Sequence, residues 1–230
     1  MKSWKSAGKS WQTEEMGKKR PKVTVIMPVY GASLRLKKGE TVGLIGVSGG
    51  GKTTAVDMIL GLLQPQSGQV LVGGRDINTD KAGWFAQVGY IPQTIFLLKG
   101  TVRENIAYGE EPDDIDDDKV RKAVCDASME EFISRLPDGL ETEVGERGVR
   151  ISGGQRQRIG IARALYHNPK VLIFDEATSA LDTETESNVI ETMEKFKGDK
   201  TMLIITHRMS TCVAIRSKRG EAEKKQFCEK

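Results

Sequence analysis

The sequence predicts an α/β protein, with a mainly parallel sheet core and a helical subdomain. Three observations carry this. Short apolar runs alternate with helical stretches from about residue 40 onward, an order that implies parallel strands joined by crossover helices. The first of these runs leads through a glycine-rich loop directly into a helical stretch. Val171 to Phe174 is apolar at every position, as expected of a strand covered on both faces.

Along the chain, Thr41 to Ile45 reads as a short buried strand and Lys52 to Leu63 as a helix. Gly68 to Val72 reads as a strand that turns at Gly73-Gly74, and Gln87 to Ile91 as a buried strand ending at Pro92. A polar, helical middle follows. There Asp113, Asp114, Asp116, Asp117 and Asp118 open a helix running through Val120, Val124 and Ala127, since acids suit the positive end of a helix dipole. Ser152 to Tyr166 is a second helix, Thr185 to Phe196 a third, and Thr201 to Ile205 a final strand. The chain has no internal repeat and no low-complexity segment.

Composition narrows the class. With 230 residues, 38% hydrophobic and 29% charged, the chain suits one sizeable soluble domain with accessory tails. No stretch approaches the ~18 consecutive apolar residues needed to span a bilayer, so the chain is not expected to cross a membrane by itself. The net charge is +3, but residues 1–22 carry +5 and residues 208–230 carry +4, which leaves −6 between them. A basic balance held in two tails does not describe a nucleic-acid groove, and solvated, poorly ordered termini are the better reading. Cys125, Cys212 and Cys228 are widely spaced and lack a CxxC pair, so neither a disulfide framework nor a zinc site is indicated, and a reducing cytosol fits. Lys2, Lys5 and Lys9 are not followed by the apolar core of a secretory signal.

Chemistry is concentrated in three places. Gly46-Val-Ser-Gly-Gly-Gly-Lys52-Thr53 matches the phosphate-loop pattern G-x4-G-K-[ST] between a strand and a helix. The loop glycines let backbone N–H groups converge on phosphate oxygens, Lys52 reaches the β and γ phosphates, and Thr53 ligates Mg²⁺. Gly46, Ser48, Gly49, Gly50, Gly51, Lys52, Thr53 and Thr54 are therefore the candidate ATP-binding residues. At the end of the apolar strand stand Asp175 and Glu176. Asp175 is expected to hold Mg²⁺ through water and Glu176 to polarise the attacking water as general base, although a helix cap also explains such a pair. In Ile151-Ser152-Gly153-Gly154-Gln155, a Ser cap and two glycines expose the N–H groups of a helix N-terminus, which reads either as a second anion cradle or as a well-capped helix.

Taken together, these residues resemble the ATP-binding cassette (ABC) ATPases over about Ser33 to Arg208. Ile151 to Gln155 looks like the family's Leu-Ser-Gly-Gly-Gln signature with Ile in place of Leu. Gln93, after Tyr90-Ile-Pro, matches the Q-loop, Ser179-Ala-Leu-Asp182 the D-loop, and His207 the switch histidine, all in family order. The resemblance implies a P-loop NTPase fold of the ABC ATPase type. It also implies two such domains, a homodimer, stacked head to tail, with Ser152, Gly153, Gly154 and Gln155 of one closing on the ATP held by the other. Gln93 would sense the γ-phosphate and metal and relay their state to a membrane-spanning partner, while His207 would touch the γ-phosphate and orient Glu176. His167, in Tyr166-His-Asn-Pro, reads instead as an exposed turn residue.

Gly100 to Gly109 and Thr142 to Gly148 look like exporter forms, the second similar to the X-loop that contacts an exporter's membrane domain. A less specific resemblance links Trp84 to Thr101 with the ATPase half of lipid-linked oligosaccharide flippases. The ends depart from the family. Pro21 stands near the usual adenine-stacking aromatic, and Tyr30 is the candidate to replace that ring. Lys22 to Tyr30 itself resembles the opening strand of nucleotide-sugar glycosyltransferases. The family's strands after His207 are missing, so Leu203 to Ile205 are expected on a sheet face or edge without their usual cover. The expected organisation is a basic segment at 1–22, an ATPase domain at 23–207 with a helical subdomain at about 94–167, and a basic tail at 208–230. The resemblance implies Mg²⁺-dependent ATP hydrolysis driving export at the cytoplasmic face of the cell membrane, with no nucleic-acid partner.

Overall fold

Four parallel strands form the central sheet in a computed structural model that describes residues 34–45, 50–145, 151–177 and 183–206. The elements in chain order are β1 (Thr41–Ile45), α1 (Lys52–Ile59), β2 (Leu71–Val72), β3 (Arg75–Asp76), α2 (Lys81–Phe85), β4 (Val88–Ile91), β5 (Gly100–Thr101) and α3 (Val102–Ile106). They continue with α4 (Asp117–Asp126), α5 (Glu130–Ser134), β6 (Glu143–Val144), α6 (Gly153–Leu165), β7 (Val171–Asp175), α7 (Thr183–Lys195) and β8 (Thr201–Thr206). The sheet order is β1-β8-β7-β4, with every neighbouring pair parallel. Two short antiparallel ribbons, β2 with β3 and β5 with β6, lie outside it. Among the described residues, no helix is long and apolar enough to cross a membrane.

Position in the sheet explains the sequence pattern of each strand. The inner strands β7 and β8 are buried at every residue, whereas β1 and β4 alternate between buried and half-buried. Strand alternation divides the core into two faces. Val171, Ile173, Leu203 and Ile205 pack with β1 and with Val56, Ile59 and Trp84, on the α1 side. Leu172, Phe174, Met202 and Ile204 pack with Ile159, Ile161, Val189 and Met193, on the α6 and α7 side. Trp84 also donates its indole N–H to the Ile59 carbonyl at 2.8 Å, tying α2 to the end of α1.

Several sequence-based expectations need correcting. The first helix ends at Ile59 rather than Leu63, because Gly61 adopts φ +73° and closes it in the left-handed conformation. Leu62 and Leu63 consequently leave the helix and are exposed. The strand expected at Gly68 to Val72 shortens to a two-residue ribbon that does not join the main sheet. Asp113 and Asp114 belong to a separate 3₁₀ turn, and Asp116 caps α4 by accepting from the Asp118 and Lys119 N–H groups. Leu203 to Ile205 lie on neither an edge nor an uncovered face. β8 sits between β1 and β7, with all three residues buried.

One glycine sets the approach of α6 to the sheet. A Cβ at Gly89 would come within 2.7 Å of the Ala164 carbonyl oxygen, 2.8 Å of Leu172 Cδ2 and 2.9 Å of Pro169 Cγ. Gly89→Ala is therefore expected to lower unfolding stability by about 1 to 3 kcal/mol, the usual effect of overpacking. Urea denaturation measures it, and an unchanged midpoint would show that β4 and α6 can separate without cost.

Candidate functional site

Among the described residues, Gln93, Asp175 and Glu176 stand at the C-terminal ends of β4 and β7, where parallel α/β sheets hold their ligands. Strand register aligns those ends, with Ile45 beside Thr206, Asp175 beside Ile205 and Ile91 beside Phe174. Gly46, Ser48 and Gly49 of the phosphate loop lie outside the described residues, as do His207, the segment Ser179 to Asp182 and Tyr30. The described part of the loop is Gly50 and Gly51. Gly51 caps α1 at φ +78°, ψ +11°, a left-handed conformation that glycine adopts without a Cβ penalty. No acid stands in the first turn of α1, so its positive end keeps its potential for an anion. Lys52 is half-buried there, while Thr53 and Thr54 are exposed.

The acidic pair closes the other side. Alternation along β7 puts Asp175 on the same face as Val171 and Ile173, the α1 face, where Tyr90 of β4 also packs. Tyr90 donates its hydroxyl to Asp175 Oδ2 at 3.2 Å. Burial raises the Asp175 carboxyl above its ordinary range and the nearby charges of Glu176 and Asp57 add to the rise, while the Tyr90 hydrogen bond and Lys52 oppose it. The Tyr90 phenol is raised in turn, first by burial and then by Asp175.

Glu176 has φ +48°, a left-handed backbone in a non-glycine residue, which costs on the order of 1 kcal/mol and recurs at functional sites. Its N–H bonds the Ile205 carbonyl at 2.9 Å, so pairing with β8 holds that conformation in place. Gln93, just beyond Pro92 at the end of β4, donates from Nε2 to Glu176 Oε2 at 3.2 Å. The structure thus brings Gln93, Asp175 and Glu176 together, with the Lys52 charge acting on Asp175.

The second predicted group stands at the start of α6. Ser152 Oγ accepts from the Gln155 N–H at 3.2 Å, and Gln155 Oε1 accepts from the Ser152 N–H at 2.9 Å, a reciprocal capping box. The capped-helix reading therefore holds. Ser152 and Gly153 are nonetheless exposed, and a Cβ on Gly153 would meet no atom within 4 Å, so the helix end is open to an approaching group. His167 is exposed in the turn after α6, as expected.

The donors offered by Asp175, Thr53 and Gln93 are a carboxylate, a hydroxyl and an amide oxygen, the hard oxygen set that Mg²⁺ favours. Among the described residues, no group of three or more His, Cys, Asp or Glu side chains could cage a metal alone. Asp175 with Thr53 suits a Mg²⁺ ion that shares its coordination with phosphate oxygens. Sequence reasoning had missed Tyr90 and Asp57 at this site. Asp57 is four residues after Thr53 and so on the same helical face, a signal that was available. Tyr90 carried no local signal, because its partner lies 85 residues away.

Comparison with known proteins points to one family. A family model described as ABC transporter matches residues 29–179. The "Putative multidrug export ATP-binding/permease protein YgaD" of Bacillus subtilis (strain 168) is 46% identical over 184 residues, covering 80% of this chain and 31% of that protein. ABC transporter B family member 1 of Arabidopsis thaliana is 46% identical over 179 residues, covering 77% of this chain and 14% of that one. Among solved structures, a bacterial Atm1-family ABC exporter with ATP bound superposes with a TM-score of 0.70 at 40% identity, covering 78% of this chain and 31% of the exporter chain. The chain thus spans about a third or less of the length of these relatives.

Proposed function

The chain belongs to the ABC transporter family and has its P-loop ATPase fold, and from that premise we propose that it is the ATP-hydrolysing domain of an exporter, acting as a head-to-tail dimer. The observation that carries the reading is the joining of Gln93 to Glu176 beside Asp175 at the strand ends facing α1. Lys52 and the N-terminus of α1 take the β and γ phosphates. Asp175, Thr53 and Gln93 hold Mg²⁺, which when bound offsets phosphate charge and polarises the γ-phosphoryl group. Glu176 accepts the proton of the attacking water, with Gln93 orienting its carboxylate in the resting protein. His207 completes the γ-phosphate contacts. Ser152, Gly153, Gly154 and Gln155 close on the ATP of the second copy, a reading supported by the exposure of Ser152 and Gly153 at the start of α6.

The membrane partner is supported by an apolar platform beside Gln93. Phe96, Leu98 and Tyr108 are 77%, 53% and 55% exposed. They are held rather than loose. Arg163 donates to the Phe96 and Asn105 carbonyls and lies 5.2 Å from the Tyr108 ring centre. The buried Asn105 amide bonds the Leu98 and Thr101 carbonyls, fixing the same loop. Strand β6 brings the start of the X-loop-like segment alongside, with Val144 paired to Gly100. A clustered, rigid, exposed apolar surface is the mark of a protein interface. The ATPase domain is assigned to 23–207 and its working place to the cytoplasmic face of the cell membrane.

The test is steady-state ATP hydrolysis by the full chain with Mg²⁺. Turnover per chain is expected to rise with protein concentration and to vanish with a chelator. ATP binding without turnover would make the chain a non-catalytic remnant. Salt-dependent DNA binding would point instead to an ABC ATPase acting on nucleic acid.

A further inference from the structure

The carboxylate of Asp175 is buried, the charges of Glu176 and Asp57 act on it, and the hydrogen bond it accepts from the Tyr90 hydroxyl spans two strands. In the β4–β7 register Tyr90 stands opposite Ile173, two residues before Asp175. Two residues along a strand span about 6.6 Å, so only a long side chain ending in a donor can bridge that distance on the same face. Leucine or valine would fill the core there without reaching, and phenylalanine would reach without donating. We propose that Tyr90 is a positioning residue for the metal site, its hydroxyl fixing Asp175 Oδ2 and so presenting Oδ1 to the hydration shell of Mg²⁺. The inference rests on the reading of Asp175 as a metal-holding residue.

The geometry explains why the arrangement needs a hydroxyl. A buried carboxylate oxygen left without a donor is costly, and a fixed hydroxyl both satisfies it and holds the orientation of the carboxylate. The Tyr90 ring is anchored for this task, since it packs on the α1 face against the cluster that includes Ile173 and Ile205. Groups that orient a metal ligand in this way typically contribute roughly ten- to a hundredfold in metal affinity.

The experiment titrates Mn²⁺, followed by electron paramagnetic resonance, into the full chain saturated with a non-hydrolysable ATP analogue, for the native protein, Tyr90→Phe and Asp175→Asn. Tyr90→Phe is expected to weaken Mn²⁺ binding roughly ten- to a hundredfold. Metal-free nucleotide affinity and melting temperature should stay at native values. In turnover assays, the Mg²⁺ concentration for half-maximal rate should rise more than kcat falls. If Asp175→Asn weakens Mn²⁺ binding and Tyr90→Phe does not, the positioning role is overturned while the metal reading stands. If Asp175→Asn leaves Mn²⁺ affinity unchanged, the metal reading itself fails and the inference falls with it. If Tyr90→Phe lowers the melting temperature and metal-free nucleotide affinity along with metal affinity, the ring acts through packing, which also overturns the proposal.

Discussion

Lys52→Ala is expected to abolish measurable ATP binding under ordinary assay conditions. Lys52 is the cation at the start of α1 and the group assigned to both the β and γ phosphates. Each hydrogen bond to a charged group is worth about 1.5 to 3 kcal/mol, so two together amount to roughly 3 to 6 kcal/mol. That corresponds to roughly 10² to 10⁴ in affinity. The fold should not suffer. A lysine in the first turn of α1 opposes the helix dipole, whereas its charge favours the ionised Asp175 carboxylate, so alanine there is expected to change the melting temperature of the nucleotide-free protein little. Calorimetric titration with ATP measures the loss, and native affinity in the variant would refute the phosphate-loop reading.

Glu176→Gln is expected to preserve ATP binding while slowing hydrolysis by roughly 10² to 10⁴, the usual worth of a positioned general base. The substitution suits this site. Glutamine keeps the side-chain length, and its amide oxygen can still accept from Gln93 Nε2 where Glu176 Oε2 does now. The left-handed backbone at this residue is held by the bond from its N–H to the Ile205 carbonyl, which the side chain does not alter. The variant should then accumulate as an ATP-bound dimer on gel filtration with Mg²⁺. Hydrolysis within a few fold of native would place the base elsewhere. Monomer alone at high protein concentration would count against the head-to-tail arrangement.

The local devices of this protein were legible in the sequence because each depends on residues close together in the chain. Ser152 and Gln155 are three apart and cap the same helix, and Gly51 and Lys52 open α1 as the spacing of the phosphate loop requires. The uninterrupted apolar run at Val171 announced a strand covered on both faces, and β7 is buried throughout. The early end of α1 was one local feature misread, beside the shortened strand at Gly68 to Val72 and the separate turn at Asp113 and Asp114. Gly61 was in plain view, but a glycine near a helix end either closes the helix or is tolerated within it, and only its φ of +73° decides between them.

Tertiary structure alone decided what meets at the site. Gln93 and Glu176 are 83 residues apart, and Tyr90 and Asp175 are 85. They meet because β4 pairs in parallel with β7, which brings both strand ends to one side. The same holds for Leu203 to Ile205. As the final strand read from the sequence they were expected on a sheet face or edge without their usual cover, yet β8 enters between β1 and β7 and becomes part of the interior. Sequence order carries no record of that insertion. A strand's apolar pattern states how many of its faces are covered, whereas its neighbours are selected by pairing and packing energies summed over segments far apart in the chain.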